Sequence, residues 1–359
     1  MQRLIRVTKI VAINLITFLV LLFIANLICG AVVKKAAYAD RDQLPNYATD
    51  REHAQQVFRE YSRIQHRYEP FVGWRALPFK GRTTTINEQG QRVHSVARNV
   101  VKAGPVVRFF GGSTMWGEGS DDNNTIPALF QKQVANAEVH NHGQLAYNTR
   151  QEVDALISLY SRNERSDVII FYDGVNDAAF LCPAEIEELP AHRLVPMYRE
   201  KLYAKKSAYL KETFNMLFTD NILKLITKKT TDRNTYAAYD CVEKPAKAEE
   251  VAEMLLKNWE LANQIVTSRG GRFIAVLQPA AFIGKPRTDH IELDDALNKN
   301  FSLVYSLIRK KIAERNHPWI YDLSEIFNGS EYVFIDFCHV SPNGNAIMAN
   351  RIAEIYRNN

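Results

Sequence analysis

Ser113, Asn176, Asp336 and His339 are the residue types of a nucleophilic acyl-transfer site, and the four fall in three recognisable local patterns. The run Val106-Val107-Arg108-Phe109-Phe110-Gly111-Gly112-Ser113 reads as a short apolar strand that stops at two glycines and presents a serine. The glycines suggest a permissive backbone for a sharp strand-to-helix turn. A serine hydroxyl is a weak nucleophile until a neighbouring base takes its proton. Histidine suits that task because it titrates near neutrality, and a carboxylate is needed to fix its tautomer and steady the imidazolium. Asp336-Phe337-Cys338-His339 supplies acid and base three residues apart. Asn176, in the turn Gly174-Val175-Asn176-Asp177 after a second apolar run, could donate to a developing oxyanion.

In order and spacing these blocks resemble the SGNH/GDSL hydrolase superfamily. Gly112-Ser113 matches its first block, Gly143 its second, Gly174-Val175-Asn176-Asp177 its third and Asp336 to His339 its fifth, over roughly residues 104 to 359. The usual Gly-Asp-Ser is Gly-Gly-Ser here, as in an envelope-associated branch carrying Gly-Gly-Ser-Thr. The resemblance implies a Ser113–His339–Asp336 triad, with an oxyanion hole made by the amides of Ser113 and Gly143 and the side chain of Asn176. It implies no metal or organic cofactor, and an O-acetyl or other O-acyl carbohydrate ester as substrate. An O-acyltransferase using the same acyl-enzyme, or a non-catalytic scaffold of polysaccharide assembly, stays open at this point.

The elements that must position these residues alternate. Strands are expected at about Val106–Phe110, Glu138–Asn141, Val168–Tyr172, Arg272–Leu277 and Trp319–Tyr321, with helices at Gln151–Arg162, Lys244–Arg269 and Asp294–Arg315 between them. Such alternation predicts a parallel sheet covered on both faces: a three-layer α/β/α sandwich with a mainly parallel five-stranded sheet, flavodoxin-like in kind. A helix should open near Thr125-Ile126-Pro127 with Thr125 as cap, and a last one after Ser341-Pro342. No phosphate-binding loop or dinucleotide fingerprint is present. His140-Asn141-His142 has the letters of a metal pair but no further ligand spacing, and is read as loop or edge structure.

Ile10 to Val33 is 24 residues without a charge, long enough to span a bilayer. Arg3, Arg6 and Lys9 before it favour a cytoplasmic N-terminus. A cleavable signal peptide is the competing reading, since Ala37-Tyr38-Ala39 has the small-x-small form, but the apolar core is longer than such peptides use. Residues 1 to 35 hold five Lys or Arg and no acid, which accounts for the whole formal charge of +5. The basic balance therefore reports the membrane flanks and not a nucleic-acid surface. With 46% hydrophobic residues, the remainder is ample for one large α/β domain.

The expected organisation is an anchor at 1–35, a stalk at 36–65, a small β-rich extension at 66–103, and a hydrolase domain at 104–359 interrupted by an insertion at 180–245. Trp74 and Phe71 in the extension are read as packing residues. The insertion carries a basic, amphipathic-looking run from Tyr198 to Lys229, read as a helical lid or packing element, with contact to a membrane surface or an anionic glycan as the sharper alternative. Cys182 and Cys241 bracket it and are expected to pair outside the cytoplasm. The chain is thus expected to be a single-pass membrane protein with its catalytic domain periplasmic or extracellular, and it names no protein partner.

Overall fold

A computed structural model describes residues 1–38, 41–94, 104–189, 192, 194, 206–226, 238–329 and 331–358. The chain forms two compact units, Met1–Arg41 with Arg199–Tyr236, and Asp42–Tyr198 with Ala237–Asn359. In chain order the helices and strands are α1 (Gln2–Tyr38), α2 (Arg51–Tyr61), β1 (His66–Glu69), β2 (Gly73–Ala76), β3 (Phe79–Lys80), β4 (Thr85–Ile86), β5 (Val106–Gly111), α3 (Ser113–Trp116), α4 (Ile126–Gln133), β6 (Glu138–Asn141), α5 (Thr149–Ser161), β7 (Val168–Asp173), α6 (Val175–Leu181), α7 (Lys206–Phe218), α8 (Asp220–Ile226), α9 (Pro245–Thr267), β8 (Arg272–Leu277), α10 (Asp295–Arg315), β9 (Ile320–Asp322) and α11 (Pro342–Asn358).

In the larger unit five strands form one parallel sheet in the order β6-β5-β7-β8-β9. Every residue of the central strands β5 and β7 is buried, as expected of strands covered on both faces. Side chains of alternate parity serve different layers. Val107, Phe109, Ile170 and Val276 pack with Ile126 and Phe130 of α4 and with Met348 and Ile352 of α11. On the other parity Phe110, Phe171 and Phe273 contact one another across the strands at tilted and edge-on angles. The alternating pattern thus gives the three-layer sandwich, with element ends within a few residues of those expected. Thr125 caps α4 by accepting from the Ala128 amide. Ser341 precedes α11 as foreseen, but its buried hydroxyl has no hydrogen bond among the described residues, so Pro342 starts that helix without a side-chain cap.

Residues 42 to 65 do not stand off as a stalk. Tyr47, Ala54 and Phe58 are buried together with Ile335, and the apolar stripe on α2 is what makes this segment part of the domain. Glu60 on α2 is buried and accepts from the amides of Arg82, Thr83 and Thr84 and the hydroxyl of Thr83 at 2.7–3.0 Å. Burial alone would raise its pKa; these bonds together outweigh it and hold the carboxyl at about 2. The extension packs at the sheet edge through bridges from Arg92 to Ile86 and Asn141. Trp74 is a packing residue, 2% exposed, with its indole donating to Leu145 O at 2.8 Å. Phe71 is not: it is 86% exposed at a turn position with φ of 68°. Residues 95–103 of the extension and 198–205 and 227–229 of the basic run lie outside the described residues.

In the smaller unit α1 pairs with α7 and α8. The window of highest mean hydropathy, 2.7, lies in Gln2–Val32, long and apolar enough to cross a membrane. In the larger unit Cys182 and Cys241 are joined in a disulfide, with Cα atoms 5.3 Å apart.

Candidate active site

The strand order β6-β5-β7-β8-β9 puts a topological switch point between β5 and β7, and the crevice beyond their carboxyl ends is where open α/β sheets bind ligands. Ser113 follows β5 and Asn176 follows β7. The two glycines before Ser113 are needed for space and not for an unusual backbone: Gly112 has a φ of −77°. A Cβ on Gly111 would lie 2.5 Å from Met115 Cβ, and one on Gly112 would lie 2.1 Å from Asn176 Nδ2. Only a bare backbone lets the serine turn approach the third-block asparagine. Gly174 is the residue that does need conformational freedom, with φ of 125° where β7 turns into α6.

His339 Nε2 lies 2.7 Å from Ser113 Oγ. On the other side of the ring, Nδ1 is 2.8 and 3.0 Å from the two carboxylate oxygens of Asp336. Asp336 also accepts from the amides of Cys338 and His339, so the loop is locked around its own carboxylate. The Phe337 carbonyl accepts from the Ala281 amide at 2.8 Å, tying the loop to the segment after β8. The arrangement can carry a proton from Ser113 Oγ to Nε2 while Asp336 holds the tautomer.

Asn176 Nδ2 donates to Tyr147 O at 2.6 Å, which leaves its second amide hydrogen for another acceptor. Ser113 is the first residue of α3, where the backbone amide has no intrahelical acceptor. Gly143 differs from expectation: its amide donates to Asn141 Oδ1 at 2.9 Å. Its lack of a side chain is explained by packing, because a Cβ there would meet Trp116 N at 2.5 Å.

Three features escaped the sequence reading. Glu118, with a side chain 2% exposed, brings a carboxylate oxygen to 3.2 Å from His339 Nε2. Arg92, buried, donates to the carbonyls of Trp116, Gly117 and Ser120, pairs with Asp122 at 2.9 Å and lies over the Trp116 ring. It pins the loop that carries Glu118. Beneath the site Glu152, Asp173 and Asp177 are buried carboxyls. Burial and the neighbouring Asp173 push Glu152 well up; burial and Asp177 bring Asp173 to about 7; burial alone, against two bonds from Thr149, brings Asp177 to about 6. Trp259 donates to Asp173 and Thr149 to Asp177, which ties α9 and α5 to the ends of β7 and α6. An acid within a few residues of a proposed site residue was a readable signal for Glu118 and Asp177; Arg92 and Glu152 had none.

His140 and His142 are structural. His142 stacks on Phe110 and faces Arg108 Nη1 at 3.0 Å, while His140 contacts Glu138 at 2.8 Å. Asp336, Cys338 and His339 offer donor atoms within 4.8 Å of one another, but the ring nitrogens of His339 are committed to Asp336 and Ser113.

No family model matches the chain, and no curated protein matches it. Among solved structures the chain is similar to a member of the lipolytic G-D-S-L family from Veillonella parvula, at 16% identity over 70% of this chain and 98% of that one, with a TM-score of 0.38. It is similar to a carbohydrate acetylesterase from Sinorhizobium meliloti at 12% identity, 70% and 98% coverage and a TM-score of 0.40. A GDSL-like lipase from Bacteroides thetaiotaomicron shares 14% identity over 72% and 91% of the two chains, with a TM-score of 0.36.

Proposed function

We propose that the chain is a membrane-anchored serine esterase of the SGNH/GDSL kind. The observation that carries this reading is the continuous chain of contacts from Ser113 Oγ to His339 Nε2 and from His339 Nδ1 to Asp336 at the switch point of the sheet. Ser113 attacks an ester carbonyl as His339 takes its proton. Asp336 stabilises the imidazolium, and the tetrahedral oxyanion is held by the Ser113 amide and the free hydrogen of Asn176 Nδ2. Gly143 joins the oxyanion hole only by exchanging its bond to Asn141. Collapse returns the proton to the leaving alcohol and leaves an acyl-Ser113, which water cleaves by the same route. The sequence resemblance supports an O-acetyl or other O-acyl carbohydrate of the cell envelope as substrate. The apolar length of α1 and the disulfide support a domain exposed outside the cytoplasm.

The test is a fluorophosphonate probe and a chromogenic acetyl ester on full-length protein in detergent. Wild type should be labelled at Ser113 and should release acetate; Ser113→Ala should lose both, since removing a triad serine can cost about 10⁶ in kcat. Activity above a few per cent in purified Ser113→Ala would defeat the assignment.

A further inference from the structure

We propose that Lys206–Ile226 is a second membrane-embedded element, a helical hairpin whose apolar side chains face the acyl chains of the bilayer that α1 crosses. The proposal rests on the anchor reading above and concerns the smaller unit alone.

One face of α1 is covered: Leu19, Leu22, Phe23, Ala25, Asn26, Cys29 and Gly30, largely at helical spacing, are its partly or fully buried positions among the described residues. Asn26 is 1% exposed although it sits within the uncharged run. Its Nδ2 donates to the carbonyls of Met216 at 2.9 Å and Leu217 at 3.0 Å, at the end of α7. Its Oδ1 accepts from the amides of Asn221 at 2.9 Å and Ile222 at 3.4 Å, at the start of α8. A helix end and a helix start leave carbonyls and amides without intrahelical partners. In water those groups are solvated; in hydrocarbon each unpaired one costs several kcal/mol. A single carboxamide that serves both ends of the turn answers the hydrocarbon problem, and the turn in return satisfies a polar side chain that a spanning helix could not otherwise carry.

The close approach is built in. A Cβ on Gly30 would lie 2.8 Å from Asn221 Nδ2, so a small residue lets the turn sit against the helix backbone. Phe23 meets Phe218 edge-on at 6.2 Å. Asn26 lies seven residues inside Val33, about 10 Å below the end of the uncharged stretch. Lys211 lies seven residues before Phe218, the same distance along a helix, enough to return Lys211 and Glu212 to the headgroups. Asp220, beside the turn, is paired with Lys224 at 2.8 Å. Leu210, Phe214, Met216, Leu223, Leu225 and Ile226 are between 40% and 73% exposed. Two helices of 13 and 7 residues that leave such side chains uncovered beside a spanning helix match a lipid surface.

Nitroxide labels on the full chain in phosphatidylcholine–phosphatidylglycerol nanodiscs test this. Single free cysteines are placed at Phe214, Leu223, Ile16 and Lys310 in a Cys29→Ser, Cys338→Ser background, and collision with oxygen is compared with collision with a water-soluble nickel chelate. Labels at 214 and 223 should favour oxygen as the label at 16 does, while the label at 310, on a charged face of α10, should favour nickel. Nickel access at 214 and 223 equal to that at 310, with 16 still lipid-like, overturns the hairpin and spares the anchor. Nickel access at 16 as well overturns both. Asn26→Leu should raise nickel access at 223 while leaving 16 unchanged; no change at 223 would overturn the role of Asn26.

Discussion

At the scale of single residues, the site turns on which hydrogen each polar atom has left to give. Asn176 spends one amide hydrogen on Tyr147 O and keeps one, so its removal should strike the transition state more than the bound ester. Asn176→Ala is expected to lower kcat by roughly 10²–10³ with KM little changed. Steady-state kinetics on the chromogenic ester decide this, and an effect confined to KM would make Asn176 a substrate-positioning group only. Glu118 faces the same ring nitrogen that takes the serine proton in the proposed mechanism. In that mechanism a carboxylate 3.2 Å from Nε2 would stabilise the imidazolium formed during attack, and hydrogen bonds to charged groups are worth about 1.5–3 kcal/mol. Glu118→Gln, nearly isosteric, should therefore reduce kcat by roughly 10- to 100-fold. Undiminished kcat in that variant would assign Glu118 to packing.

At the scale of elements, the ends of β7, α5, α6 and α9 meet over the buried carboxyls Glu152, Asp173 and Asp177. Their values lie above the ordinary carboxylate range, Asp173 at about 7 and Asp177 at about 6, so the unfolded chain gives up these protons first as pH rises. The resulting stability is fully present below about pH 4 and is lost as pH climbs through 6 to 7. Wild-type protein should melt at a lower temperature at pH 8 than at pH 5. Glu152→Gln removes one of the raised, titrating carboxyls and should shrink that difference. Calorimetry at the two pH values measures it, and an unchanged difference would show that other groups set the pH dependence. The coupling matters for function because the same cluster fixes the turn from β7 into α6 on which Asn176 sits.

At the scale of the whole molecule, the charge on either side of α1 sets the expected orientation. Arg3, Arg6 and Lys9 resist translocation, so the proposed topology puts the catalytic unit on the far side of the span. Alkaline phosphatase fused after Asn359 should be active, since it folds only after export, and a reporter that fluoresces only in the cytoplasm should be dark there. The opposite pair of results would invert the topology and remove the envelope ester as substrate.

What the sequence determined by itself was everything that periodicity and local chemistry encode. The apolar runs at Val106, Val168 and Arg272 gave strands because both faces are covered, and their order gave a parallel sheet. Ser113, Asn176, Asp336 and His339 were legible because each stands in a short segment whose neighbours betray its turn. Tertiary structure alone decided the long-range pairings. Arg92 meets the loop that carries Glu118 from a position with no periodic signal, and burial, with the carboxyls of Asp173 and Asp177 on other elements, raises Glu152. The segment 42–65 looked polar enough for a stalk because its buried stripe, Tyr47, Ala54 and Phe58, is thin. Gly143 kept its place in the pattern while its amide went to Asn141. A hydrogen bond needs a direction and a distance, and a sequence supplies neither until the chain has closed on itself.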